Sequence, residues 1–261
     1  MSPDHLLRWY IEAGVDETIG EEPLDRYALA KAPPAAAAPI FQATQAVAPH
    51  DAAPPMTTHE QRPSASHLAD ACKTLEELHA AMQAFDGCAL KKTCQRTVFA
   101  DGNPKAKVML VGEAPGADED RIGLPFVGAS GKLLDRMLAS IGLDRSTAYI
   151  TNVIPWRPPG NRKPEPAEVA LCLPFIERHI ELVDPEILIF LGGAAASALL
   201  AKPGGINRLR GRWMDYQSTG LSRPVPAMAT FHPAYLLRTP SAKREAWQDF
   251  LAVFKRLQPS A

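Results

Sequence analysis

Residues 107–141 read KVMLVGEAPGADEDRIGLPFVGASGKLLDRMLASI. The stretch opens on a short apolar run, Lys107–Val111, with no alternation of polar and apolar positions. A parallel strand buried on both faces reads this way, because neither face meets water. Beyond a loop rich in Gly, Pro and acids the period changes. Leu134, Met137, Leu138 and Ile141 recur at helical spacing, predicting a helix over Gly131–Ile141. The same alternation continues downstream, with candidate strands at Ala148–Val153, Ile187–Leu191 and Ala227–Thr230. Helical patterns cover Pro166–Leu182, Ala194–Leu200 and Ala242–Leu257, and Pro174 predicts a kink or break in the first of these. The expected fold is α/β, a three-layer α/β/α sandwich around a four-stranded, mainly parallel sheet.

Upstream, residues 67–85 (HLADACKTLEELHAAMQAF) also carry helical periodicity, with Ser66 as the expected N-cap. Before them, residues 31–66 are rich in Ala and Pro and read as a linker, which cannot bury a core. Residues 1–30 form a short acidic segment with helical character near 5–13, either an idle tail or the docking site of a protein partner. The expected catalytic domain is 67–261. The net charge of −1 hides an asymmetry: residues 1–66 carry −5 and the remainder +4. A mildly basic body suits a polyanion. No apolar run approaches the roughly 18 residues that span a bilayer, and no basic-then-apolar leader opens the chain. Four cysteines make no disulfide framework, so a cytoplasmic, monomeric protein is expected.

In open parallel sheets, ligands bind outside the carboxyl ends of the strands. Here the first strand runs into GEAPGADED with Glu113, the second ends in Thr151-Asn152, the third in Gly192-Gly193 and the fourth in Phe231-His232-Pro233. Each alone reads as a turn or cap. A carboxylate, a carboxamide, a glycine pair and an imidazole on one rim read together as an active site. Rival motifs fail. Gly128-x-x-Gly131-Lys132 has two residues between its glycines where a phosphate loop needs four, and Leu133 follows the lysine. The first strand ends in GEAPG, not GxGxxG, and no GxSxG elbow occurs.

Three blocks, VMLVGEAPGADEDRIGLPFVGASGKLLDRML, YITNVIPWRPPGNRKPEPAEVALCLPFIERHI and FHPAYLLR, resemble the successive signatures of type-4 uracil-DNA glycosylases. The resemblance runs from about Gly87 to the C-terminus. It implies a monofunctional enzyme of DNA base-excision repair that flips a uridine out of DNA and hydrolyses its N-glycosidic bond. It assigns Phe126 to stack on the base, Asn152 to read uracil N3–H and O4, and Gly112 and Gly116 to the base pocket. Gly116 stands where another branch carries a bulky aromatic beside the uracil C5 edge. The resemblance also implies that Glu113 orients water or stabilises the sugar cation, and that His232 hydrogen-bonds uracil O2 as charge develops. DNA contacts are expected from Tyr235 and Arg238, from Leu236 or Leu237 as a wedge, from Arg157, Asn161 and Arg162, and from Ser130 and Lys132 at a helix N-terminus.

The type-4 pattern also implies a 4Fe-4S cluster on four cysteines. Cys88 and Cys172 occupy two of those positions, but Phe85 and Trp156 stand at the other two. Aromatic rings do not ligate iron, so a conventional cluster is not expected unless Cys72 or Cys94 is recruited by rearrangement. Phe85 and Trp156 are expected to fill the vacated volume as an apolar plug, and no cofactor is required for the chemistry. Two other functions fit the chain less well: a damage-binding protein without turnover, and a protein-interaction domain. The superfamily branch that traps DNA through a histidine in an inserted basic loop is disfavoured, because GLSRPVPAMATF before His232 carries no such insertion.

Overall fold

The computed structural model describes residues 64–201 and 204–258. The acidic segment and nearly all of the expected linker lie outside the described residues. The linker's last residues are already folded: Ser64, not Ser66, caps helix α1 (Ala65–Ala71), its Oγ accepting from His67 N–H at 3.2 Å. The periodic stretch that follows divides at Thr74, which caps α2 (Leu75–Ala84) by accepting from Glu77 N–H.

Six strands form one sheet in the order β1-β3-β2-β4-β6-β5. The inner four, β2 (Val108–Gly112), β3 (Ala148–Asn152), β4 (Ile187–Leu191) and β6 (Val225–Thr230), are parallel. They are the four strands expected. Two short edges were not foreseen: β1 (Ala100–Gly102) pairs antiparallel with β3, and β5 (Trp213–Tyr216) antiparallel with β6. Neither carries an apolar run, because an edge strand is covered on one side only.

Alternate side chains of the inner strands feed two cores. Met109, Val111, Leu188 and Phe190 join α1, α2, α5 (Pro166–Val183) and α6 (Gly193–Leu200) on one face. Val108, Leu110, Ile187 and Ile189 join α4 (Ala129–Ala139) and α9 (Lys243–Leu257) on the other. Burial on both faces is the reason these runs show no polar alternation. Helix α5 is not broken at Pro174. Phe175, Ile176, His179 and Ile180 are all buried against the core, and that packing outweighs the roughly 3 kcal/mol a mid-helix proline costs. The short helices α3 (Ala117–Ile122), α7 (Ile206–Leu209) and α8 (Pro233–Arg238) complete the described elements with three 3₁₀ turns.

From β2 the chain crosses by α4 to β3 on one side, then returns by α5 to β4 on the other. The strand order therefore reverses between β2 and β4, and a crevice opens there at their carboxyl ends.

Candidate active site

A cleft of about 660 Å³ lies at that edge, lined among others by Glu113, Gly116, Phe126, Asn152 and His232. Every inner strand delivers a part of it: Glu113 follows β2, Asn152 ends β3, Ala194 follows β4 and His232 follows β6. The convergence expected from the strand ends is present.

Phe126 is the strained element. Its φ of 54° lies in the left-handed region, which costs a residue with a Cβ about 1–2 kcal/mol. The turn is pinned by Glu119, which the sequence reading missed. Val127 and Gly128 N–H donate to Glu119 Oε1 at 3.0 and 2.9 Å, and Gly116 N–H donates to Oε2 at 3.2 Å. One carboxylate thus ties the GEAPG loop to the Phe126 turn. A Cβ on Gly112 would lie 2.4 Å from Asn152 Oδ1 and 2.6 Å from the Phe126 ring, so the bare glycine lets ring and carboxamide meet. Asn152 is 5% exposed and its Oδ1 is buried with no hydrogen-bond partner. A buried acceptor without a donor is costly in an empty site and is satisfied by a ligand that brings one.

Burial raises the pKa of Glu113, opposed by the Lys163 charge, another cleft residue not singled out in advance. His232 is pushed down to about 4, by burial first and by Arg238 second, so it is neutral at pH 7. Its Nδ1 accepts the Ala234 N–H at 3.1 Å, which places the imidazole proton on Nε2 as a donor. The His232 ring lies 5.5 Å from that of Phe126. Gly192, at φ 100°, would carry a Cβ only 3.1 Å from His232 Cβ, which accounts for a glycine at the end of β4.

Ser130, Asn161, Arg162, Tyr235 and Arg238 also line the cleft. Lys132 is exposed on α4. Arg157 donates to Asn161 Oδ1 at 2.8 Å, and Arg162 is held by Glu168 at 2.6 and 2.9 Å, so the charge expected for phosphates is partly spent internally. The YLLR segment is helical, not a loop. Leu236 is 1% exposed, packed in a small core with Leu133 and Met137, and cannot enter a duplex; Leu237 is 43% exposed. That removes Leu236 from the expected DNA contacts.

Comparison with known proteins shows the family. A family model described as the uracil DNA glycosylase superfamily matches residues 99–251. The type-4 uracil-DNA glycosylase of Archaeoglobus fulgidus is 40% identical over 182 residues, covering 68% of this chain and 90% of that protein. That of Pyrobaculum aerophilum is 39% identical over 184 residues, covering 69% and 92%. The type-5 uracil-DNA glycosylase of Thermus thermophilus is 32% identical over 183 residues, covering 62% and 80%. The chain belongs to the uracil-DNA glycosylase superfamily. All five cleft residues named at the opening lie inside the matched segment.

Within this uracil-DNA glycosylase superfamily member, the cysteine positions do not fit a four-thiolate cluster. Cys88 and Cys172 are buried and hydrogen-bonded to each other, which lowers the pKa of the first and raises that of the second. Phe85 stacks on Trp156 with centroids 6.1 Å apart and meets Phe175 edge-on at 5.2 Å. Trp156 is fully buried, its Nε1–H donating to Thr97 Oγ1 at 3.1 Å. The remaining thiols, Cys72 and Cys94, donate to the Leu68 and Lys91 carbonyls. Among the described residues no group of three or more His, Cys, Asp or Glu is placed to hold a metal ion.

Proposed function

We propose that the chain is a monofunctional uracil-DNA glycosylase, hydrolysing the N-glycosidic bond of deoxyuridine in DNA to release uracil and leave an abasic site. The observation that carries this reading is the unpartnered, buried Asn152 Oδ1 beside the Phe126 ring. Uracil offers N3–H to that oxygen and O4 to the amide N–H, whereas cytosine presents the opposite pattern. Phe126 takes the face of the extruded base, and Gly112 and Gly116 leave room around it.

As the C1′–N1 bond breaks, its electron pair passes to the base and positive charge grows on the sugar. Neutral His232 donates Nε2–H to uracil O2, where negative charge accumulates, without having to lose a proton first. Ionised Glu113 stabilises the sugar cation and orients the water that attacks C1′, the water's proton going to solvent or to the carboxylate. Tyr235, Leu237 and Arg238 serve the DNA side of the cleft, with Ser130, Lys132, Arg157, Asn161 and Arg162 near the phosphates. The aromatic plug of Phe85 and Trp156 lets the fold stand as a metal-free monomer. No described helix is long and apolar enough to cross a membrane.

Incubation with an end-labelled uracil oligonucleotide followed by alkali is expected to give strand cleavage at uracil. Glu113→Ala and His232→Ala are each expected to lose most of it. Intact strands with the wild-type chain on both single- and double-stranded substrate would refute the enzyme, and an adduct stable to heat and SDS would favour covalent capture in its place.

A further inference from the structure

We propose that Arg145 is a positioning residue for Phe126, holding its backbone in the left-handed conformation that presents the ring to the base. The inference rests on the reading of Phe126 as the base-stacking side chain. Arg145 precedes β3, lies outside the cleft lining and has no place in the chemistry described above. Its guanidinium nevertheless converges on the Phe126 turn. Nη2 donates to the Phe126 carbonyl and Nη1 to the Pro125 carbonyl at 3.2 Å. Two carboxylates aim the fork: Asp101 on β1 binds Nη1 at 2.5 Å, and Asp135 on α4 binds Nε at 2.9 Å. A planar guanidinium serves four acceptors at fixed angles, which an ammonium group does not.

Gly131 packs closely against the same carbonyl. A Cβ there would stand 1.6 Å from the Phe126 oxygen, so only glycine lets α4 pass over it. The glycine that gives this stretch its resemblance to a phosphate loop therefore answers to the Phe126 carbonyl. Glu119 holds the next two amides. Phenylalanine has no local preference for φ near 54°, and a strained residue persists only where its surroundings over-determine it. Arg145, Gly131 and Glu119 together supply that determination, and the edge strand β1 gains a purpose as the carrier of Asp101.

The test is a double-mutant cycle read by single-turnover uracil release from a labelled oligonucleotide, using the full chain. Arg145→Met is expected to slow release about tenfold to a hundredfold, as a displacement of roughly 1 Å does in a preorganised site. Affinity for undamaged DNA should stay unchanged. Arg145→Lys, which keeps a donor, should recover part of the rate. Adding Arg145→Met to Phe126→Ala should cost nothing further, because the ring being positioned is gone. Asp101→Asn removes one of the carboxylates that aim the guanidinium while keeping the oxygen that accepts from Gly102 N–H, and it should show the same non-additivity, so the cycle does not depend on one variant folding. Wild-type rates in both Arg145→Met and Asp101→Asn, or losses that multiply with that of Phe126→Ala, would overturn the proposal. A Phe126→Ala variant with undiminished rate would instead remove the base-stacking reading beneath it.

Discussion

At Asn152 the structure leaves an acceptor buried and unpaired, and at His232 it fixes a neutral donor. Both features are expensive for folding and useful for holding a base. Asn152→Ala removes the uracil-reading pair and is expected to cut the single-turnover rate by about 2–4 kcal/mol, roughly thirtyfold to a thousandfold. Equal rates for the variant and wild type would contradict that assignment. Glu113 must be ionised to act, and burial raises its pKa above that of an ordinary carboxylate. Activity should therefore fall as the pH drops through that raised value, before His232 takes its proton near pH 4. The pH–rate profile of Glu113→Gln, at its lower rate, should lack this acid limb. The identities of these residues were legible in the sequence because they sit at strand ends, where ligands bind. Glu119 and Arg145 were not, since each acts by holding backbone groups of other turns and looks locally like a surface charge.

Among the elements, the parallel strands declared themselves through apolar runs; β4 has the expected bounds, and the ends of the other three lie within two residues of the expected ones. The antiparallel edges β1 and β5 did not, because three or four half-covered residues leave no periodic signal. The division of residues 67–85 into α1 and α2 was readable only in hindsight, from Thr74 acting as a cap with Glu77 three residues on. Phe85 and Trp156, which stand where the type-4 resemblance expects thiolates, form with Phe175 a buried aromatic cluster. Trp156→Ala should cost about 3–5 kcal/mol of stability, the usual range for emptying a large buried site. Urea denaturation measures it. A change below 1 kcal/mol would mean that the cluster does not support the fold.

For the whole molecule, two faces of one sheet are packed so that four strand ends share a single crevice. One consequence appears under acid. His179 is buried, with Nε2 2.8 Å from Tyr149 Oη, and burial pushes its pKa down to about 3. The unfolded chain takes up that proton near pH 6.5 and the folded chain does not, so stability present above pH 6.5 is lost as the pH falls toward 3. His179→Gln should show a smaller drop in urea midpoint between pH 7 and pH 5 than the wild type; an equal drop would contradict the assignment. The central claim is that Phe126, Asn152, Glu113 and His232 together hold an extruded uracil. A crystal structure with DNA carrying a non-hydrolysable 2′-fluoro-deoxyuridine tests it most directly. The uracil is expected outside the helix, stacked on Phe126, with N3 about 2.7–3.2 Å from Asn152 Oδ1. A uracil still paired within the duplex, or lodged away from Asn152, would contradict the claim.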